Sequence, residues 1–162
     1  EDRMRLAVRL ARQNVEHDLG GPFGAAVFDG AGRVVSAGVN LVLAEQCSVL
    51  HAEVVALMLA QRRLRRFDLS DGGREEFTLA ASTEPCSMCQ GAVLWSGVRK
   101  LLCGARDEDA RSVGFDEGAK PSDWPEQYRE RGLEVIQDVL RDEAAAVLRE
   151  YVERGGVIYN AG

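Results

Sequence analysis

Two short patterns carry the residues able to do chemistry, His51-Ala52-Glu53 and Pro85-Cys86-Ser87-Met88-Cys89. One imidazole and two thiolates supply three ligands to a zinc ion, and a tetrahedral ion then keeps a fourth position for water. That open position is what separates a catalytic zinc site from a structural one. Glu53, two residues past His51, is spaced to stand beside the water without ligating the ion. There it takes the water's proton and passes it to a ring nitrogen of a substrate. The chemistry implied is metal-assisted hydrolysis.

Each half is weak evidence alone. A Cys-x-x-Cys pair also serves thiol redox chemistry, but a redox site has no use for His51 or Glu53. A structural zinc needs a fourth protein ligand, and the other candidates are His17, Cys47 and Cys103. His17 ends the first predicted helix and reads as a surface or capping residue. Cys103 falls in an apolar strand and reads as a small packed hydrophobe. Cys47, four residues before His51, is the one credible rival ligand. Taken together, His-x-Glu followed by Pro-Cys-x-x-Cys is the signature of the zinc deaminases that act on nucleobases.

Helix starts are where these patterns fall, and the elements around them are legible. Residues 3–17 read as a helix with Leu6, Leu10 and Val15 on one stripe, stopped by Gly20-Gly21-Pro22. Strands follow near 25–29 and 33–39, joined by the turn Asp29-Gly30-Ala31-Gly32. A loop from Asn40 to Leu50 leads to a helix over 51–65 that is apolar on nearly every side, as suits a helix wedged against the middle of a sheet. A strand near 77–82, a helix over 86–96 and a strand at 98–104 come next. Residues 105–127 read as irregular chain or short helices. A strand near 133–138 and a helix over 142–154 complete the pattern. Strands alternating with helices imply a three-layer α/β/α sandwich with a mixed sheet of about five strands, formed as one domain over 1–162.

Composition limits the function classes. The 162 residues are 46% hydrophobic and 28% charged, with no biased tract and no repeat, which excludes fibrous and disordered chains. The longest apolar run, Val54 to Ala60, has seven residues, against about 20 for a membrane-spanning helix. No secretory leader pattern opens the sequence, so the expected compartment is a reducing cytoplasm, where disulfides are rare. The net charge of −6 is split, with +2 over residues 1–66 and −8 over the remainder. A surface built for polynucleotide phosphates carries a basic surplus, so no nucleic-acid partner is expected. The cluster Arg62, Arg63, Arg65, Arg66 reads as the solvated end of a helix.

Nearly the whole chain resembles the cytidine deaminase-like superfamily and, within it, the bacterial guanine deaminases, including the subgroup acting on ammeline. The resemblance lies in Gly20-Gly21-Pro22-Phe23-Gly24, Asn40, His51-Ala52-Glu53 and the stretch from Glu84 through Cys89 to Trp95. It continues in Gly114-Phe115-Asp116-Glu117-Gly118 and Val157-Ile158-Tyr159-Asn160. The last two blocks discriminate, because the zinc motif is common to the superfamily. The resemblance implies that His51, Cys86 and Cys89 bind Zn²⁺ and that Glu53 shuttles protons. Phe23 and Trp95 would line or stack on the base, with Ala52 and Tyr159 also at the substrate. Asn40 would hydrogen-bond a ring edge, and Glu117 would grip the amidine-like edge and help ammonia leave. It further implies a homodimer, with the segment from about 140 to 162 closing the active site, swapped between subunits in some relatives.

Read without the resemblance, Asn40 is a turn residue at a strand end, Glu117 belongs to a solvated acidic run, and Trp95 is as readily core as pocket. The leading functional reading is hydrolytic deamination of guanine to xanthine and ammonia. Ammeline, cytosine and guanosine are rival substrates. A tRNA adenosine deaminase is disfavoured by the acidic charge, and a vestigial zinc module by the intact Glu53.

Overall fold

The computed structural model describes residues 1–159. The elements run α1 (Asp2–Glu16), β1 (Gly24–Phe28), β2 (Val34–Val39), α2 (Ala52–Leu64), β3 (Thr78–Thr83), α3 (Ser87–Ser96), β4 (Lys100–Ala105), α4 (Asp107–Ser112), α5 (Trp124–Glu130), β5 (Glu134–Ile136) and α6 (Arg141–Glu153). The five strands form one sheet in the order β2-β1-β3-β4-β5. β1 is antiparallel to β2 and β3, whereas β3, β4 and β5 are parallel. This is the predicted mixed α/β/α sandwich.

Period-2 alternation distributes β1 between two cores. Ala25 and Val27 pack on one face with α2, α3 and α5 residues such as Ala56, Val93 and Tyr128. Ala26 and Phe28 pack on the other with Met4, Ala11 and Leu148 of α1 and α6. Small residues in the sheet let helices approach closely. A Cβ at Gly38 would run into the Ala52 carbonyl oxygen and the Ala56 nitrogen, and the Ser36 hydroxyl donates to the Ala56 carbonyl at 2.6 Å. The first turn of α2 is thereby seated on β2, which places His51 and Glu53.

Two expectations need correction. α2 covers the β2–β1 side of the sheet rather than its middle, and its outer face leaves Met58 and Leu59 exposed. β5 is three residues long rather than six, because Asp138 and Leu140 adopt positive φ (63° and 55°) and turn the chain away. Gln137 leaves the strand to bond Glu84. The arginine cluster does end a helix, with Arg66 forking onto Glu75 at 2.9 and 2.8 Å and Arg63 donating to the Val35 carbonyl at 3.0 Å.

Candidate active site

His51 and Cys86 are the N-cap residues of α2 and α3, so the helix starts bring the two halves of the motif together. His51 Nδ1 lies 3.4 Å from Cys86 Sγ and 3.6 Å from Cys89 Sγ. All three ligand atoms fall within 4.8 Å of one another. A tetrahedral ion with metal–nitrogen near 2.05 Å and metal–sulfur near 2.3 Å separates nitrogen from sulfur by about 3.6 Å. The donor set therefore fits zinc in both chemistry and spacing. Cys47, the rival ligand, is not in this cluster, and Cys103 is buried in the core as a hydrophobe. His17 caps the C-terminus of α1 in an exposed position.

The thiols are poised for a cation. The hydrogen bond from Cys89 holds the Cys86 thiol down to about 4, with His51 adding to the effect against burial. That same bond, then burial, pushes the Cys89 thiol far up. The pair shares one proton that a bound metal ion displaces. Burial works against a charged His51, yet the bond to Cys86 and the charge of Glu53 leave it raised.

Two carboxylates share the chamber with this cluster. Glu53 is 7% exposed, and burial, with the Cys86 charge adding, raises it to about 7. It also lies within hydrogen-bond reach of Cys89. Glu117 is 5% exposed, and burial raises it to about 8 against the pull of Lys120. Its loop is tied to α3 by a bond from the Ser87 N–H to the Glu117 carbonyl at 3.0 Å. Phe23, Glu84 and Tyr159 complete the lining, and the free space is about 10 Å³, room for about one water.

The aromatic residues form a closed set. Phe115 meets Phe23 edge-to-face at 4.9 Å and Tyr159 at 5.4 Å, and stacks on Tyr151 at 6.0 Å. The Tyr151 hydroxyl donates to the Val157 carbonyl at 2.7 Å, which folds the tail back onto the chamber of its own chain. The Tyr159 hydroxyl is buried without a partner among the described residues. Asn160, at the end of the terminal block, lies outside the described residues.

Asn40 is fully buried. Its Oδ1 accepts from the Gly21 and Val42 N–H groups at 3.3 and 3.2 Å, leaving Nδ2 as a donor with no partner among the described residues. Its backbone N–H donates to the Phe23 carbonyl at 3.1 Å, so it sits directly behind the chamber wall. Ala52 packs into the core on the α2 side and is not among the lining residues.

Trp95 does not reach this chamber. It is 83% exposed at the end of α3 and lines an apolar surface groove with Phe67, Met58 and Leu57. The expectation that it contacts the base fails within this chain because it sits at the C-terminal end of α3, whereas the ligands occupy the N-terminal end.

Glu84 and Lys120 are site residues the sequence reading missed. Glu84 is buried, accepting from Gln137 Nε2 at 2.5 Å and from the Asp107 N–H at 3.1 Å. It forms a wall between the chamber and a wider polar cavity of about 450 Å³. Its signal is an acid just past the strand near 77–82 and immediately before Pro85-Cys86. Lys120 had none, since its burial depends on how residues 113–122 fold over α4.

A three-ligand zinc cluster at two helix N-termini, a buried glutamate beside it and a mixed sheet beneath define a zinc-dependent deaminase. Residues 1–105 match the cytidine and deoxycytidylate deaminase zinc-binding region, and the chain belongs to this family. A guanine deaminase of Bacillus subtilis is 33% identical over 140 residues, which is 86% of this chain and 85% of that protein. The structure of guanine deaminase from Nitrosomonas europaea is 48% identical and superposes with a TM-score of 0.88, covering 92% of this chain and 82% of that one. The structure of NE0047 in complex with 2,6-diaminopurine is 49% identical with a TM-score of 0.91, covering 98% and 84%. Zinc is the metal of the family, and His51, Cys86 and Cys89 are positioned to hold it.

Proposed function

We propose that this enzyme converts guanine and water to xanthine and ammonia, acting as a cytoplasmic homodimer. The observation that carries the reading is Glu117, a second buried carboxylate in the chamber that holds Glu53 and the metal cluster. Guanine presents N1–H beside its 2-amino group, and a carboxylate accepts from two such parallel donors. Cytosine offers one fewer donor on the corresponding edge. A buried carboxylate left half-paired costs on the order of 1–3 kcal/mol. Ammeline, a triazine with an oxo and two amino groups, presents a guanine-like edge and is the second substrate to test.

Bound zinc supplies the Lewis acid that makes water a nucleophile at neutral pH. Glu53 would accept one proton of the water and deliver it to N3 as the oxygen bonds to C2. Glu117 orients the ring through N1–H and the amine, and the proton left on the added oxygen would pass by way of Glu53 to the amine, which leaves as ammonia as the C2–N bond breaks and the C2 carbonyl of xanthine forms. The free Asn40 donor fits a purine acceptor, Phe23 packs on the ring, and Tyr159 covers it. A free space of about 10 Å³ is far below what a nucleobase fills, so the Tyr159 side chain that lines the chamber has to move aside to admit one.

The dimer reading is supported by the exposed apolar face of Phe67, 86% exposed, with Trp95 and Met58, a kind of patch that marks interaction sites. Trp95→Asp should yield a monomer in sedimentation velocity, and a wild-type monomer with full activity would remove this part. Ammonia release from guanine, guanosine, adenine, cytosine and ammeline tests the whole. Guanine should be fastest and yield xanthine, and cytosine turned over as fast as guanine would overturn the reading.

A further inference from the structure

Lys120 is 6% exposed, and its ammonium group joins three segments of the active site. Nζ pairs with Asp107 Oδ1 at 2.5 Å and donates to the carbonyl of Pro85, the residue before Cys86, at 3.2 Å. It lies 3.8 Å from Glu117 Oε2. Among the described residues it is the cation in ion-pair range of Glu117. Asp107 is held independently by Arg111 Nε at 2.5 Å, and Arg111 also donates to the Gly118 carbonyl at 2.6 Å. The loop bearing Glu117 is therefore fixed on both sides of that residue, by Arg111 at Gly118 and by Lys120 against Asp107 and Pro85.

We propose that Lys120 is a positioning residue for recognition of the base, holding the Glu117 carboxylate by one edge so that its remaining acceptor sites face a pair of ring-edge donors. The inference rests on the reading of Glu117 given above. A direct hydrogen bond of about 2.8 Å would take one of the carboxylate's roughly four acceptor sites and pull it toward the lysine. At 3.8 Å the cation steers the carboxylate without occupying them. The bond to Pro85 ties this acceptor to the start of the metal-binding turn, so recognition of the ring and the position of its reacting carbon share one anchor. Burial disfavours the charged form of Glu117, and Lys120 is the largest influence opposing it, so the lysine favours the ionised form that accepts from two donors.

Binding of 8-azaguanine, which carries the guanine donor edge, to the Glu53→Gln protein tests this by calorimetry without turnover. In that background Lys120→Met should weaken binding about tenfold with zinc content unchanged, and Lys120→Arg should recover most of the loss. Combined with Glu117→Gln, Lys120→Met should cost less than about twofold more, because the lysine acts through the carboxylate. Lys120→Gln, which can still bond Pro85 and Asp107, should show the same loss if Lys120→Met does not fold. Unchanged binding in a zinc-loaded Lys120→Met or Lys120→Gln protein overturns the proposal. So does a tenfold loss that persists beside Glu117→Gln. A zinc-loaded Glu53→Gln parent that binds no 8-azaguanine overturns the guanine reading and this proposal together, whereas parent binding indifferent to Lys120 removes the proposal alone.

Discussion

Carboxylates are treated in opposite ways at two places on this molecule. At the corner between α4 and α6, Arg106 forks onto Asp138 at 2.7 and 2.6 Å, and Arg141 reaches Asp109 at 2.8 Å and Glu108 at 2.5 Å. These acids are partly exposed and matched with cations, and the arginine hydrogen bonds hold Asp109 and Asp138 below the usual range. In the chamber, Glu53 and Glu117 are buried and raised to about 7 and 8, with Asn40 Nδ2 and Tyr159 Oη left unpaired nearby. The corner ties β4 and α4 to α6 and completes its own polar contacts. The chamber leaves contacts open for a ligand and a metal ion, at a cost in stability that is common at functional sites.

The comparison breaks most sharply at the metal. Cys89→Ala should abolish zinc binding and turnover and lower the melting temperature, since metal binding is coupled to folding. Metal analysis and calorimetry check this, and a metal-free protein with full activity would refute the site. Glu53→Gln comes next, losing roughly 10²–10⁴-fold in turnover while keeping zinc and melting no lower than wild type. A variant retaining more than about a tenth of the rate would remove Glu53 as the proton carrier.

Glu117→Gln should cut guanine turnover steeply with zinc unchanged, and it also probes the cost of burial. Its folded value, about 8, exceeds the ordinary 4.5, so the folded state holds the proton that the unfolded state releases. The contribution of this group to stability falls as pH rises from about 4.5 through 8. Urea midpoints of the metal-free protein should decline over that window, and less so in the variant. Equal slopes would mean that burial does not raise Glu117 in the folded state. Arg141→Met should have the smallest effect. Asp109 is depressed by Arg141, so their pairing stabilises the fold above the unfolded value of 3.8 and is lost as pH falls through the depressed folded value. The variant should melt slightly lower at pH 7 and match wild type at pH 2. Equal melting at both would make this corner energetically silent, as many surface pairs are.

Much of the architecture was legible because its signals are local. Gly20-Gly21-Pro22 ends α1, the glycine-rich turn joins β1 to β2, and alternating strands and helices imply the layered sheet. The misreadings share one cause. Trp95 on an apolar helix invites burial, but α3 turns that side chain outward, and no apolar count records which face meets the sheet. β5 ends at Ile136, short of the expected span, because Gln137 and Asp138 are taken by Glu84 and Arg106, partners 53 and 32 residues away.

By itself the sequence determined the metal cluster and Glu53. His51, Cys86 and Cys89 stand in or beside helix N-caps, and a helix start is set by its own few residues, so the motif carries most of its geometry with it. Only the tertiary structure decided that Lys120 would be buried against Asp107 and Pro85, that Asn40 Nδ2 would find no partner among the described residues, and that Trp95 would face outward. Each of these depends on segments far apart in the chain being packed together, and packing sets which polar groups find partners and which are left for a ligand.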